Sequence, residues 1–164
     1  MSATVGNPEQ VARWLSPDAE AINAIAPRTT ELSVDAIVQL PEDEIGSLEL
    51  AISPRAHATL RGLADIVAKK NPCLIFVNSR NSAETVSQRI QAIAPDLEIG
   101  VHHGSLAKET RTQMEDDLRN GKIQGLVCTS SLELGIDVGS VNHIVQIRSP
   151  RSVDRMLQRV GRAD

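Results

Sequence analysis

From Ser53 onward, short apolar runs alternate with amphipathic segments. The segment SPRAHATLRGLADIVAKK begins with Ser and Pro and places Leu60, Leu63, Ile66 and Val67 on one face, which predicts a helix. The apolar runs that follow are CLIFV, LEIGVHH, GLVCTS and HIVQI, and helical periodicity marks NSAETVSQRIQAIA, AKETRTQMEDDLRNG and SVDRMLQRVG. Continuous apolar strands that alternate with amphipathic helices predict an α/β fold, a parallel sheet with helices on both faces.

The pattern before Ser53 is less regular. The segment NPEQVARWLS predicts a short helix capped by Asn7, with Pro8 in its first turn. The alternation of apolar and polar residues in ELSVDAIVQL predicts a half-buried strand, and after the acidic turn PEDEIGS a second extended run, LELAIS, is expected. Residues 26–30, which include Pro27, are typical of a linker.

The length and net charge of the chain limit the number of domains and the kinds of partner it can bind. The chain has 164 residues, of which 41% are hydrophobic, which fits one ordinary domain. Its formal net charge of -4 means that any contact with nucleic acid needs a local basic patch. The sequence shows no secretory leader and no apolar run near the ~18 residues of a membrane span, so we expect a soluble, cytoplasmic chain.

The aromatic and cysteine content limits the available chemistry. With one Trp, one Phe and no Tyr, the chain offers no stacking platform, so we expect nucleic acid to be held through its phosphates. Cys73 and Cys128 lack the CxxC or CxxH spacing of metal and redox sites and are expected to be reduced core residues. His102 and His103 are adjacent on a strand and point to opposite faces, which argues against a shared metal ion.

All four predicted strands end in polar residues, and ligands of parallel α/β sheets bind at the carboxyl ends of strands. Taken singly, Ser79 is also explained as a helix cap, and Gly104 and Ser130 as turn residues. Together the strand ends predict a binding edge where small residues let a backbone approach a phosphate. These ends are VNSR (77–80), HHGSL (102–106), CTSSLELGID (128–137) and QIRSP (146–150).

The sequence ends in MLQRVGRAD, where Arg155, Arg159 and Arg162 stand at helical spacings of four and three. An isolated basic helix is most simply a solvated face. Next to the polar strand ends, the same arginines suggest a phosphate clamp, because a guanidinium can bind two phosphate oxygens at once.

Five segments, in order, resemble the motifs of superfamily 2 helicases. LIFVNSR, VHHGSLAKETR, LVCTSSLELGIDVGSV and QRVGRA resemble motifs IV, IVa, V and VI of the second RecA-like domain, and SATVGNP resembles motif III. TSSLELGID, VHHGSL and NSRNSAE are most similar to the large helicase-related (Lhr) proteins, relatives of the Ski2-like enzymes. The resemblance covers essentially the whole chain. It implies a three-layer RecA-like fold of the P-loop NTPase type.

The resemblance also implies a role for individual residues. Arg159 and Arg162 would be arginine fingers for ATP, with Gln158 beside them at the interdomain cleft, while Gly135 and Asp137 would bind the nucleotide. Interdomain coupling is implied for the motif III residues Ser2, Ala3 and Thr4. The residues implied in binding the DNA or RNA backbone are Ser79, Arg80, His103, Gly104, Arg111, Thr129 and Ser130.

Two expected motifs are absent from the sequence. There is no G-x-x-x-x-G-K-[ST] phosphate loop and no D-E-x-H box, and in the family both belong to the first RecA-like domain. We therefore expect residues 1–30 to be a remnant of motif III and the interdomain linker, and residues 31–164 to be the second domain, truncated within motif VI. ATP and Mg²⁺ would be held by the missing first domain, so we expect this chain alone to be inactive as an ATPase.

Three functional interpretations follow. The first is the second domain of an ATP-dependent DNA or RNA helicase, and the alternative is a stand-alone, non-catalytic nucleic-acid-binding or regulatory module from a split gene. The third, a small-molecule enzyme, would need a GxGxxG turn, which the sequence lacks. If Arg159 and Arg162 face an open cleft, as the helicase interpretation implies, the replacement of either by Ala should barely change stability, by about 0 to 1 kcal/mol.

Overall fold

The computed structural model describes residues 7–22, 31–133 and 141–162. It divides the chain into two compact units, Met1–Ala36 and Ile37–Asp164. None of the described helices is long and apolar enough to cross a membrane. In chain order the elements are α1 (Pro8–Leu15), α2 (Pro41–Glu49), α3 (Pro54–Lys69), β1 (Cys73–Phe76), α4 (Arg80–Ile93), β2 (Ile99–His102), α5 (Lys108–Arg119), β3 (Gly125–Cys128), a 3-10 turn (Ser130–Leu132), β4 (His143–Gln146) and α6 (Val153–Val160).

The four strands form one parallel sheet in the order β2-β3-β1-β4. In its register, Cys73 of β1 lies between Gly125 of β3 and His143 of β4. All residues of the central strands β1 and β3 are buried, as expected for strands covered on both faces. The four strands predicted from the apolar runs are therefore confirmed.

Two hydrophobic clusters pack against the sheet. Alternate residues of β1 divide between them, because successive side chains of a strand point to opposite faces. Ile75 belongs to a cluster with Leu63 of α3 and Ile90 of α4, whereas Leu74 and Phe76 belong to a cluster with Leu118 of α5. The sheet thus has helices on both faces, and the predicted fold class is confirmed.

Polar side chains cap several helices, and the caps at Asn7, Ser53 and Ser79 agree with the sequence pattern. Ser53 accepts a hydrogen bond from the N–H of Ala56 at the start of α3, over 3.2 Å. Ser79 does the same for α4 and Ser152 for α6, and in the first unit Asn7 caps α1. Each cap satisfies an N–H group that has no partner within its helix.

The prediction for residues 31–53 is wrong. Residues 31–40 form no strand, and PEDEIGS belongs to the helix α2 rather than to a turn before an extended run. Pro41 lies in the first turn of α2 together with three acidic residues, which stabilise the positive end of the helix dipole. Asp43 also accepts a hydrogen bond from the N–H of Leu40, over 2.8 Å. These local signals outweigh the apolar–polar alternation.

Asp43 also joins α2 to α3. Its carboxylate is fully buried and accepts hydrogen bonds from Arg61, over 2.9 and 3.0 Å, and from Nδ1 of His57, over 2.8 Å. The hydrogen bond from Arg61 is the main reason why the pKa of Asp43 lies well below its usual range. Gly46 leaves room for the His57 ring, since an added Cβ would lie 2.2 Å from its Nε2.

Candidate functional site

The carboxyl ends of the four strands lie along one edge of the sheet, because all the strands are parallel. Backbone pairing continues past the strands there: Thr129 donates to the carbonyl of His102 over 3.2 Å, and Ile147 donates to that of Phe76 over 3.0 Å. We call the residues that follow β1, β2, β3 and β4 the carboxyl edge. The sequence-based prediction of strand ends that meet at one edge is confirmed.

Two side chains at the start of α4 reach the segment after β2. Arg80 donates a hydrogen bond to the hydroxyl of Ser105 over 3.3 Å, and Glu84 contacts Nε2 of His103 over 3.0 Å. Ser79 is exposed, and its hydroxyl caps α4 and contacts the Ser82 hydroxyl over 2.8 Å. The structure therefore supports the simple interpretation of Ser79 as a helix cap. Arg80 and Glu84 link the start of α4 to Ser105 and His103 after β2.

Two nitrogen atoms at this edge have no hydrogen-bond partner among the described residues. They are Nδ1 of His103 and Nε of Arg111, and both atoms are buried. The side chain of His103 is only 4% exposed. A buried polar atom without a partner costs about 1 to 3 kcal/mol, so such atoms in folded proteins are paired with protein groups or with ordered water.

Gly104 directly follows His103 and is exposed. A Cβ added to Gly104 would meet no atom within 4 Å, so the protein itself does not require glycine here. Its exposed backbone leaves open space over the edge, which is a favourable setting for close approach by a ligand backbone.

The turn after β3 is tied to β2 and α5 through His102. This ring is fully buried, with Nδ1 2.8 Å from the Ser131 hydroxyl and Nε2 2.9 Å from Oε1 of Glu115. Burial lowers the pKa of His102 and outweighs the opposing effect of Glu115. Thr129 is half-buried beside Ser131, and Ser130 is exposed. The turn that carries both candidate residues is thereby fixed in position.

The two adjacent histidines have separate partners, one on α5 and the other on α4. Their rings point away from each other, as expected for neighbours on a strand. In the described ranges, no group of three or more His, Cys, Asp or Glu side chains could hold a metal ion.

Arg159 does not face an open cleft. Its side chain is 1% exposed, and its Nε donates to Oε1 of Glu133 over 2.8 Å while Nη1 donates to Gln146. The guanidinium also lies 5.0 Å from the centre of the Phe76 ring. The expectation that Arg159 faces an open cleft is therefore wrong, because α6 packs this residue against the sheet, and the small effect on stability expected of Arg159→Ala no longer follows from it.

Arg162 lies just beyond α6 and is half-buried. Its Nη2 donates to the backbone carbonyl of Glu133 over 2.8 Å. Glu133 therefore receives hydrogen bonds from both arginines, on its carboxylate from Arg159 and on its carbonyl from Arg162. Gln158 is half-buried on α6.

Five candidate residues lie outside the described residues. They are the motif III residues Ser2, Ala3 and Thr4 and the nucleotide-binding candidates Gly135 and Asp137.

The partners that position the candidate residues did not follow from the sequence. Three are carboxylates, Glu84, Glu115 and Glu133, and the fourth is Gln146. Glu84 and Glu115 lie on amphipathic helices, where a carboxylate is most simply a solvated residue. A weak signal existed for Gln146, a polar residue that follows the apolar Ile144 and Val145 at the end of β4.

Comparison with known proteins identifies the family. The family described as "Helicase conserved C-terminal domain" matches residues 58–164. The chain belongs to this family. The predicted resemblance to the second RecA-like domain of helicases is thus confirmed.

Relatives and solved structures point to the same group of helicases. The chain is 36% identical to the Lhr helicase/probable uracil glycosylase of Mycolicibacterium smegmatis, over 99% of this chain and 13% of that protein. It is 34% identical to the ATP-dependent helicase Lhr-Core of Sulfolobus acidocaldarius, over 99% of this chain and 19% of that protein. The structure of Mycobacterium smegmatis helicase Lhr bound to ssDNA and AMP-PNP matches with a TM-score of 0.77 and 37% identity, over 99% of this chain and 21% of that one.

Proposed function

We propose that this chain acts as the second RecA-like domain of an Lhr-type, ATP-dependent helicase and that its carboxyl edge binds the backbone of single-stranded nucleic acid. The observation that carries the proposal is the grouping of accessible polar residues along the carboxyl edge, with Arg80 beside Ser105, open space over Gly104 and an exposed Ser130. Arg80, Gly104 and Ser130 are residues that the helicase resemblance implies in backbone contact.

The chemistry of the carboxyl edge suits a sugar-phosphate backbone. A phosphate is a strong acceptor, and the edge offers donors in Arg80, Arg111 and the hydroxyls of Thr129 and Ser130. The open space over Gly104 allows a close approach. A binding mode that depends on phosphates also agrees with the single Trp and single Phe of the sequence.

Arg162 is our candidate arginine finger. It is half-buried at the end of α6, and its hydrogen bond to the Glu133 carbonyl helps to hold the end of the helix to the turn after β3. ATP with Mg²⁺ would be bound mainly by a first RecA-like domain, and a guanidinium directed at it stabilises charge on the transferred phosphoryl group. From the resemblance, Gly135 and Asp137 would contact the nucleotide, and Ser2, Ala3 and Thr4 would couple the two domains.

Arg159 has a different role in this proposal. Its guanidinium is already occupied by Glu133 and Gln146, so we assign it to positioning. It fixes α6 against the turn after β3, so that Arg162 and the motif V residues keep their relative positions. Gln158 remains a candidate for contact across the interdomain cleft.

Binding of labelled single-stranded DNA to this chain, followed by fluorescence anisotropy at several salt concentrations, tests the proposed interface. We expect weak binding without sequence preference, with log K falling by about 0.7 per phosphate contact for each unit of log salt. Arg111→Ala should weaken binding and flatten this slope by about 0.7. Arg119→Ala is the matched control, because Arg119 lies at the other end of α5 and pairs with Asp116. Binding that ignores salt, or that falls equally in both variants, would contradict the proposal.

The role of Arg162 is tested in a polypeptide that also contains a first RecA-like domain. Arg162→Ala should lower ATP hydrolysis by about 10³-fold or more while DNA affinity stays nearly unchanged. Arg155→Ala, on the exposed side of α6, should leave the rate unchanged. The chain of 164 residues alone should hydrolyse no ATP above background, because its sequence lacks the phosphate loop. Equal rates for Arg162→Ala and Arg155→Ala would refute this role.

A further inference from the structure

The segment between β4 and α6 contains two arginines with an unusual backbone. Arg148 has φ of 63° and Arg151 has φ of 71°, both in the left-handed region. Glycine, asparagine and aspartate adopt this region more readily than arginine does. Each such residue costs about 1 kcal/mol or more, so a surrounding framework must hold it in place.

That framework is visible in the hydrogen bonds of the segment. Asn78, at the end of β1, donates from Nδ2 to the carbonyl of Ser149 over 2.9 Å, and Gln146 of β4 donates to the carbonyl of Arg148 over 3.0 Å. The N–H of Arg151 donates to the Ser149 hydroxyl over 3.1 Å. The two arginines are therefore held in a fixed loop that is attached to the end of β1.

The charge of this loop is not neutralised locally. Both side chains belong to exposed residues, and within the described part of the chain neither guanidinium takes part in an ion pair or a side-chain hydrogen bond. Residues 148–155 contain three arginines and one acidic residue, Asp154. The loop is thus a local basic patch on a chain whose net charge is -4.

The loop lies beside the strand ends that are proposed to bind nucleic acid. The strand order β2-β3-β1-β4 places it next to the end of β1, where Ser79 and Arg80 lie, on the side away from His103 and Thr129. Neighbouring strands of a sheet lie about 4.8 Å apart, so a nucleic-acid strand that crosses the ends of β2, β3 and β1 next reaches β4. Phosphate groups are the natural partners of two exposed guanidinium groups there.

We propose that Arg148 and Arg151 are a further phosphate-binding pair that extends the nucleic-acid surface across the end of β4. The inference rests on the proposed function, since it adds contacts to the same bound strand. Arg148 lies in the strand end QIRSP (146–150) of the predicted binding edge, but the motif resemblance assigns no role to Arg148 or Arg151.

The test is binding of a labelled single-stranded DNA to the full chain and to the double variant Arg148→Gly/Arg151→Gly. Glycine suits the left-handed backbone, so the variant should unfold at the same urea concentration as the original chain or at a higher one. Its DNA affinity should fall by about tenfold or more at low salt, near about 50 mM, and the slope of log K against log salt should flatten by about 1.4, as for two lost contacts.

A second variant and a control complete the design. Arg148→Asn/Arg151→Asn also tolerates the left-handed backbone and should show the same loss of affinity, which keeps the test valid if the glycine variant fails to fold. Lys69→Ala/Lys70→Ala removes the same charge at the opposite edge of the sheet, just before β1, and should flatten the slope by much less.

The outcomes separate this inference from the proposed function. If the original chain binds DNA with a steep salt dependence and the Arg148/Arg151 variants bind equally well, the inference is wrong and the proposed function stands. The inference is equally wrong if the lysine variant loses as much affinity as the arginine variants. If the original chain shows no salt-dependent binding, the proposed function itself fails, and the inference fails with it.

Discussion

The corner between α2 and α3 and the carboxyl edge of the sheet both contain a buried histidine beside a carboxylate, yet they differ in what remains unsatisfied. At the corner, both oxygens of Asp43 are used by His57, Arg61 and the N–H of Leu40. At the edge, His103 uses Nε2 for Glu84, while its Nδ1 has no partner among the described residues.

The contrast separates a cluster whose polar atoms are all paired within the fold from a cluster that leaves one polar atom unpaired among the described residues. Buried polar atoms in folded proteins are nearly always hydrogen-bonded. The cluster of Asp43 meets this requirement within the protein, so it needs no ligand. The incomplete cluster of His103 lies at the end of parallel strands, where ligands of α/β sheets bind. Arg159 belongs with the first kind and His103 with the second, although both lie in segments that resemble helicase motifs.

The largest expected effect is a loss of stability in Arg159→Ala. This variant tests whether the fully paired cluster of Arg159 and Glu133 holds the fold together. Arg159→Ala leaves the carboxylate of Glu133 buried without its partner, so the free energy of unfolding should fall by about 3 to 5 kcal/mol. Urea unfolding followed by circular dichroism measures this loss.

Arg155→Ala is the control for Arg159→Ala, because Arg155 is exposed on the same helix. Its change in stability should stay within about 0.5 kcal/mol. If the two variants unfold at the same urea concentration, the buried pair contributes nothing, and the positioning role of Arg159 has to be abandoned.

A smaller loss of stability is expected at the α2–α3 corner. Asp43→Asn keeps the shape of the side chain but removes its charge, which weakens the hydrogen bonds from Arg61 and His57. The urea midpoint should fall by less than in Arg159→Ala, and DNA affinity should be unchanged. A loss of DNA affinity in folded Asp43→Asn would show that the corner belongs to the binding surface and would erase the contrast.

The smallest effect is a pH dependence at the edge. Burial lowers the pKa of His102 in the folded chain below its value of about 6.5 in the unfolded chain, so the unfolded chain binds the proton first as the pH falls. The stability that His102 contributes is therefore present above about pH 6.5 and is lost progressively below it. Urea midpoints at a series of pH values should fall in this range for the original chain and be flatter for His102→Gln. An identical pH profile in both proteins would rule out His102 as the cause.

The sequence predicted the fold best where periodicity was long and regular. From Ser53 onward, helices such as α3 and the four strands were predicted from apolar spacing and capping residues. Residues 31–53 were not, because an alternating pattern of exposed side chains imitates a strand. The first-turn proline and acidic residues of α2 were the better signal, since they act through the helix end itself.

The candidate site was predictable in its location but not in its internal pairing. Parallel strands place their carboxyl ends on one edge, so the positions of His103 and Thr129 followed from the strands. The pairing of Arg159 with Glu133 did not, because the two residues lie 26 positions apart and nothing local connects them. An arginine inside a basic motif gives no sign in the sequence of whether it is buried.

The most direct measurement for the central claim is an NMR titration of the histidine side chains with single-stranded DNA. The chain has four histidines, and His57 and His103 report on the corner and on the edge, respectively. We expect the imidazole resonances of His103 to shift as DNA is added, because the strand would bind beside this ring at Gly104, while those of His57 stay in place. A shift of His57 with none at His103, or DNA binding that moves neither ring, would contradict the claim that the carboxyl edge binds the nucleic acid.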